Sequence, residues 1–354
     1  MFKTDDTRIV AIQELLPPVA LLEAFPTTAK EARTVFESRQ AIHNILQNQD
    51  PRLLVIIGPC SIHDLQSAHE YADLLLAQRE KYKDSLEIVM RVYFEKPRTT
   101  VGWKGLLNDP YLDGSYNIND GLRIGRKLLL DLVRKGLPVA VEYLDMITPQ
   151  FIADLVSWGA IGARTTESQV HRQLASGLSC PVGFKNATNG DVQIAIDAIG
   201  SARAPHAFLS VTKFGHSAIV RTTGNEDSHL ILRGGSNGPN YDAEHIRAAE
   251  EALERAGLAP KIMVDFSHAN SLKQHDRQML VGADICAQIK AGNRSIFGVM
   301  IESHLVAGAQ KLVAGQPLRY GQSITDACLG WEDSKNLLAQ LAAASAERRA
   351  ALAP

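Results

Sequence analysis

Cysteine is scarce in this chain. Cys60, Cys180, Cys286 and Cys328 are widely spaced among 354 residues and form no CxxC pair, which argues against a disulfide scaffold. No apolar run approaches the roughly 18 residues of a membrane span. The opening "MFKTDDTRIV" lacks the apolar core of a signal peptide, so a reduced, cytoplasmic setting with no membrane partner is expected. An excess of one charge is missing too: 37 Lys and Arg stand against 39 Asp and Glu. There is no basic stripe for nucleic acid, and any anion site has to come from local clustering. Low-complexity sequence is confined to the end, where "LLAQLAAASAERRAALAP" reads as an Ala-rich helix with a frayed tip.

What is present is a rhythm. Short runs rich in Val, Ile and Leu recur at 53–58, 87–94, 138–144, 159–164, 181–186, 229–234, 261–267 and 295–301. Amphipathic stretches such as "LQSAHEYADLLLAQREKY", "GLRIGRKLLLDLVRKG", "PQFIADLVSWG" and "DAEHIRAAEEALERAG" fall between them, the last ending at Gly257. Apolar strands alternating with helices predict a parallel sheet covered by helices, and eight such units predict an α/β fold of the (β/α)8 TIM-barrel type. Two segments exceed that minimum. Residues 1–45 form an N-terminal extension containing the Pro-interrupted "LLPPVALLEAFPTT", and residues 206–223 read as an extra β-hairpin inserted before strand six. The catalytic unit is then expected over 46–354. Placing "HAFLSV" in the barrel instead of "HLILRG" is the alternative; the chosen order puts Arg233 at a strand end.

A barrel of this kind carries its chemistry at the C-terminal ends of its strands. Those ends hold "GPCSIHD", the loop "KPRTT", Glu142, Arg164, Lys185, Arg233, "DFSHAN" and Glu302. One such residue would be an ordinary satisfied polar group, whereas together they form a rim rich in cations. In "RVYFEKPRTT" the proline stiffens a loop of cations and hydroxyls suited to a phosphate.

The blocks "GPCSIHD", "RVYFEKPRTTVGWKGL", "EYLD", "GARTTESQ", "PVGFKN", "LRGG", "DFSHAN", "GNRSI" and "SITDACLGWE" resemble, in order, those of 3-deoxy-D-arabino-heptulosonate 7-phosphate synthases. The likeness is to the feedback-regulated subtype with an N-terminal extension, and within it to the phenylalanine-sensitive form. It implies condensation of phosphoenolpyruvate with erythrose 4-phosphate, release of phosphate, and entry to the shikimate pathway. By resemblance, Arg91, Arg164, Lys185 and Arg233 hold phosphoenolpyruvate. Lys96, Pro97, Arg98 and Thr99 surround erythrose 4-phosphate, with Lys96 poised over the aldehyde. The resemblance also implies a divalent metal ion (Mn²⁺, Fe²⁺, Co²⁺ or Zn²⁺) on Cys60, His268, Glu302 and Asp326, to polarise the aldehyde. Glu142 and His268 are the candidates to position the attacking water, and the "LRGG" and "GARTT" turns would let backbone approach the phosphate. Cys328, two residues beyond Asp326, is expected near Cys60 as a pair open to oxidation.

The extension and hairpin resemble an apparatus that binds an aromatic amino-acid effector. The matching positions are Asp5, Asp6, Met146, Pro149, Gln150, Leu174, Leu178, Ser179, Phe208, Ser210 and Val220. A serine at 210 resembles the phenylalanine-sensitive form; tyrosine is the alternative effector. An arm that reaches a neighbouring subunit implies a homodimer or homotetramer. Three other readings compete: the sister synthase that uses arabinose 5-phosphate, a metal-dependent aldolase or isomerase on the same barrel, and a catalytically inactive amino-acid sensor. The "KPRTT" loop, the number of anion-facing cations and the intact metal set weigh against each in turn.

Overall fold

The computed structural model describes residues 2–313 and 315–352. The strands of the barrel and of the inserted hairpin, in chain order, are β1 (Leu53–Gly58), β2 (Leu86–Arg91), β3 (Val139–Glu142), β4 (Trp158–Ile161), β5 (Val182–Lys185), β6 (Ala207–Val211), β7 (Ser217–Arg221), β8 (Ser228–Leu232), β9 (Ile262–Asp265) and β10 (Ile296–Glu302). All but β6 and β7 close into a parallel barrel in the order β1-β10-β9-β8-β5-β4-β3-β2. Every residue of these barrel strands is buried, as expected of strands covered on both faces. β6 and β7 pair antiparallel outside the barrel, so "HLIL" is barrel strand six and Arg233 follows it directly.

The helices are α1 (Pro18–Ala24), α2 (Ala29–Leu46), α3 (Leu65–Lys81), α4 (Ile118–Arg134), α5 (Thr148–Ile152), α6 (Gln169–Gly177), α7 (Gln193–Ala202), α8 (Ala243–Arg255), α9 (Gln278–Lys290) and α10 (Trp331–Leu352). Local chemistry explains several ends. Pro18 sits at the start of α1, where a missing N–H costs nothing. Thr28 and Glu31 form a capping box on α2. Asp242 caps α8, and Gly257 leaves it at φ +70°, a conformation glycine adopts without strain. The frayed tip expected at the end of α10 includes residues 353 and 354, which lie outside the described residues.

Three expectations need correction. Strand two ends at Arg91, not at 94, because the chain then peels away and the Tyr93 carbonyl accepts from Ile62 N–H at 2.9 Å. "PQFIADLVSWG" is not one helix: α5 lasts five residues, a single 3₁₀ turn follows over Ala153–Leu155, and Trp158 opens β4. Burial of the Trp158 indole inside the barrel outweighs the helical pattern. Finally, α2 crosses the division expected at 45/46. Its Ile42, Ile45 and Leu46 pack with Leu54, Phe297, Met300 and Trp158, sealing the barrel interior below the functional end.

Candidate active site and a second cavity

Each expected rim residue arrives on the C-terminal end of a strand or the loop just after it. Arg91, Glu142, Lys185 and Glu302 are the last residues of β2, β3, β5 and β10. Arg91, Lys96, Pro97, Arg98, Glu142, Arg164, Lys185, Arg233, His268 and Asp326 line one pocket. Thr99 lies at its edge, where its hydroxyl accepts from Arg164 Nη2 at 3.2 Å.

Arg91 is the pivot of the pocket floor. It is 1 % exposed, its guanidinium lies 3.6 Å from the Tyr93 ring centroid, and Nη2 donates to Glu302 Oε1 at 2.9 Å. Nε and Nη2 also donate to the carbonyls of Pro59 and Cys60. A charge so buried is tolerable only with these partners. Lys96, also buried, places Nζ 3.1 Å from Cys60 Sγ and 3.1 Å from the Cys60 carbonyl. Lys185 pairs with Asp265 at 2.9 Å.

Ligand atoms of Cys60, Glu302 and Asp326 all lie within 4.8 Å of one another. His268 brings Nε2 to 3.8 Å from Glu302 and Nδ1 to 2.8 Å from Asp265. Its backbone is held at φ +58°, a left-handed setting uncommon among non-glycine residues and found at functional sites. Soft sulfur, imidazole nitrogen and carboxylate oxygen in one cluster fit a divalent first-row metal. The protein's own field suits a cation there. Burial opposes ionisation of Glu302, but His268, Arg91 and Lys96 outweigh it and hold its pKa at about 2. Burial, then the Glu302 charge, pushes the Cys60 thiol up to about 11, a shift that a bound cation would reverse. Cys328 does approach Cys60: its sulfur accepts from Cys60 N–H at 3.4 Å.

Residues 25–339 match the family model described as the DAHP synthetase I family. The chain belongs to that family. It is 66 % identical over 348 residues to the phospho-2-dehydro-3-deoxyheptonate aldolase, Phe-sensitive, of Escherichia coli strain K12, covering 98 % of this chain and 99 % of that one. Identity is 65 % over 347 residues to a phospho-2-dehydro-3-deoxyheptonate aldolase of Haemophilus influenzae, with 98 % and 96 % covered. A Trp-sensitive aldolase of Enterobacter agglomerans is 57 % identical over 348 residues, with 98 % and 100 % covered. The solved aldolase of Francisella tularensis superposes with a TM-score of 0.94 at 54 % identity, covering 96 % of this chain and 99 % of that one.

Three features in and beside this pocket escaped sequence reasoning. Asp265, inside the quoted "DFSHAN" block, is fully buried and bridges Lys185 and His268; burial disfavours its charge, yet those two neighbours hold its pKa well below the carboxylate range. Lys273 joins the pocket wall from a loop with no motif to mark it. Glu95, buried beside Asp145 and Glu142, is pushed well above the carboxylate range, first by burial and then by Asp145. The glycines of "LRGG" also let loops pack closely. A Cβ on Gly235 would lie 2.1 Å from Gly190 N, and one on Gly234 would lie 2.8 Å from Asn270 N. Their close approach is to neighbouring loops.

The expected effector residues fall into two groups. Met146, Pro149, Gln150, Leu174, Leu178, Ser179, Phe208, Ser210 and Val220 line a second cavity of about 540 Å³ between α5, α6 and the β6–β7 hairpin. Asp5 and Asp6 do not line it; they sit exposed in the arm. Lys213, which sequence reasoning passed over, adds an ammonium to the cavity wall and donates to the Gln150 carbonyl at 2.5 Å.

Proposed function

We propose that the rim pocket is where the chain condenses phosphoenolpyruvate with D-erythrose 4-phosphate and water, yielding 3-deoxy-D-arabino-heptulosonate 7-phosphate and phosphate. The reaction is that of its family, the first step of the shikimate pathway. The observation that supports this location is the crowding of Arg91, Lys96, Arg98, Arg164, Lys185 and Arg233 around one pocket. Two phosphate monoesters and a carboxylate bring about five negative charges at neutral pH, and fixed guanidinium forks match their geometry.

In this reading Arg91, Arg164, Lys185 and Arg233 bind the phosphate and carboxylate of phosphoenolpyruvate. Arg98 and Thr99 hold the tetrose phosphate on a loop stiffened by Pro97, which lowers the ordering cost of binding. Cys60, His268, Glu302 and Asp326 would hold the metal ion, one of Mn²⁺, Fe²⁺, Co²⁺ or Zn²⁺, and when bound it supplies Lewis acidity to the aldehyde. The enol methylene carbon attacks the aldehyde carbon, and Lys96 Nζ delivers a proton to the oxygen that becomes the new hydroxyl. Glu142 and His268 orient the water that adds at the carbon bearing phosphate, after which phosphate leaves. Lys96→Met is expected to lower kcat by about 10²–10⁴-fold, the usual worth of a positioned acid, with phosphoenolpyruvate affinity retained. Near-normal turnover by that variant removes Lys96 from the role.

The second cavity is assigned to an aromatic amino-acid effector, with phenylalanine preferred over tyrosine. Apolar walls from Met146, Leu174, Leu178, Phe208 and Val220 suit its ring, and Lys213 suits its carboxylate. Asp5 and Asp6 are then supplied across an interface, by the arm of a second chain in a homodimer or homotetramer. No helix among the described residues is long and apolar enough to cross a membrane, in keeping with a cytoplasmic setting.

The deciding experiment follows phosphoenolpyruvate consumption by metal-stripped protein, with and without erythrose 4-phosphate, before and after adding Mn²⁺. Consumption is expected only with both. Consumption without the tetrose phosphate overturns the assignment of the rim, and none with any metal turns the reading to an amino-acid sensor.

A further inference from the structure

A cleft of about 320 Å³ lies at the closed end of the barrel, lined by Arg52, Arg294, Arg348 and Arg349 around a floor that includes Phe297. Among the described residues Asp50 is the one carboxylate on its wall, and Arg52 already takes it at 2.7 Å while also pairing with Glu87 at 2.8 Å. Arg294, Arg348 and Arg349 have no ion-pair partner within 4.0 Å among the described residues. Arg348 is only 7 % exposed. Its Nη1 donates to the carbonyls of Ile296 at 2.8 Å and Asn293 at 3.3 Å; Nε and Nη2 have no hydrogen-bond partner among the described residues. Lys261 stands behind it, 2.5 Å from the cleft residue Asn48, and burial together with Arg348 lowers its pKa to about 8.

A cation in the last turn of α10 is favourable to that helix, which accounts for Arg349. It does not account for Arg294 converging on Arg348 and Arg349 from the loop before β10, nor for a buried guanidinium left without a counter-charge among the described residues, an arrangement that costs stability unless something compensates it. We propose that this cleft binds a small phosphorylated anion carrying three or more negative charges. Arg294, Arg348 and Arg349, which have no carboxylate partner among the described residues, offer charged donors to phosphate oxygens, Arg349 while also giving Nη1 to the Asp84 carbonyl at 2.5 Å, and a dicarboxylate would leave one of the three charges uncompensated. Binding would tie α10 to the loops that lead into β1 and β10, so the ligand should also raise the melting temperature.

The test is calorimetric titration with inorganic tripolyphosphate at low ionic strength, with saturating phosphoenolpyruvate present to occupy the rim pocket. One site is expected, weakened at least tenfold by Arg294→Ala and by Arg348→Gln, unchanged by Arg98→Ala, and weakened by added salt. Arg294 is exposed and makes no hydrogen bond within the described residues, so its variant keeps the test open if Arg348→Gln folds poorly. ATP titrated in parallel separates two sources of the same chemistry: equal affinity means that phosphate alone is read, and tighter binding means that the nucleoside is read as well. Absence of binding, affinity unaltered by Arg294→Ala, or loss of binding in Arg98→Ala overturns the proposal.

Discussion

Gly162 shows how little room individual residues have at the rim. A Cβ there would lie 2.1 Å from Glu142 Oε1, so Gly162→Ala has to push the carboxylate aside. Displacing a positioning group by about 1 Å costs on the order of 10²-fold in rate. We expect kcat to fall by about that much in steady-state assays, with KM for phosphoenolpyruvate little changed. Glu302 offers a second test. A carboxylate with a depressed pKa contributes stability that is complete above its ordinary value of 4.5 and is lost as pH falls toward about 2. Metal-stripped protein should therefore lose stability from about pH 4.5 downward. Glu302→Gln should flatten that acid limb in denaturant titrations, leaving the part contributed by Asp265. The identities of these residues stood in the sequence; the distances that make them sensitive did not. Asp265 shows why: three residues before His268, it reads as one more strand-end acid until the fold sets it against Lys185.

At the scale of elements, Arg126 holds several together. Buried on α4, it donates to the Phe25 carbonyl beyond α1, to the Phe151 carbonyl of α5, and to Asp154 in the turn that follows. Arg126→Met would leave two carbonyls without this donor and Asp154 with only the Thr27 hydroxyl, a loss worth about 3 kcal/mol by analogy with broken buried pairs. Urea unfolding should show that loss as a lower midpoint. α8 was readable because its amphipathic stripe ran to the stop signal at Gly257. α5 was not, because its apolar residues continue into Trp158, and a single sequence cannot show that the indole belongs inside a barrel. The eight barrel strands were readable as apolar runs, but their last residues shifted wherever the chain peeled off into a rim loop.

For the whole molecule, the arm is the least anchored part. Phe2 is 95 %, Val10 101 % and Ile12 81 % exposed, an apolar ribbon that its own chain leaves uncovered. The hairpin presents Leu209 and Ile219 outward as well. Such surface is suited to burial against another copy. If the proposed effector site and interface hold, deleting residues 2–15 should abolish inhibition by phenylalanine and lower the sedimenting mass by more than the deleted residues, with the uninhibited rate retained. Inhibition curves alongside sedimentation measure both. Unchanged inhibition would mean that Asp5 and Asp6 have no part in the effector site.

The sequence by itself determined the barrel, its strand order, the cationic rim and the family, because periodicity of burial and strand-end chemistry are written locally in the chain. Tertiary structure alone decided which of those residues meet. It set Cys60, Glu302 and Asp326 within reach of a single ion, gathered the effector-type residues from three segments into one cavity, and brought Arg294 to Arg348 at the closed end. Closure of the barrel is the physical reason, since it turns separations of tens to hundreds of residues along the chain into a few ångströms in space.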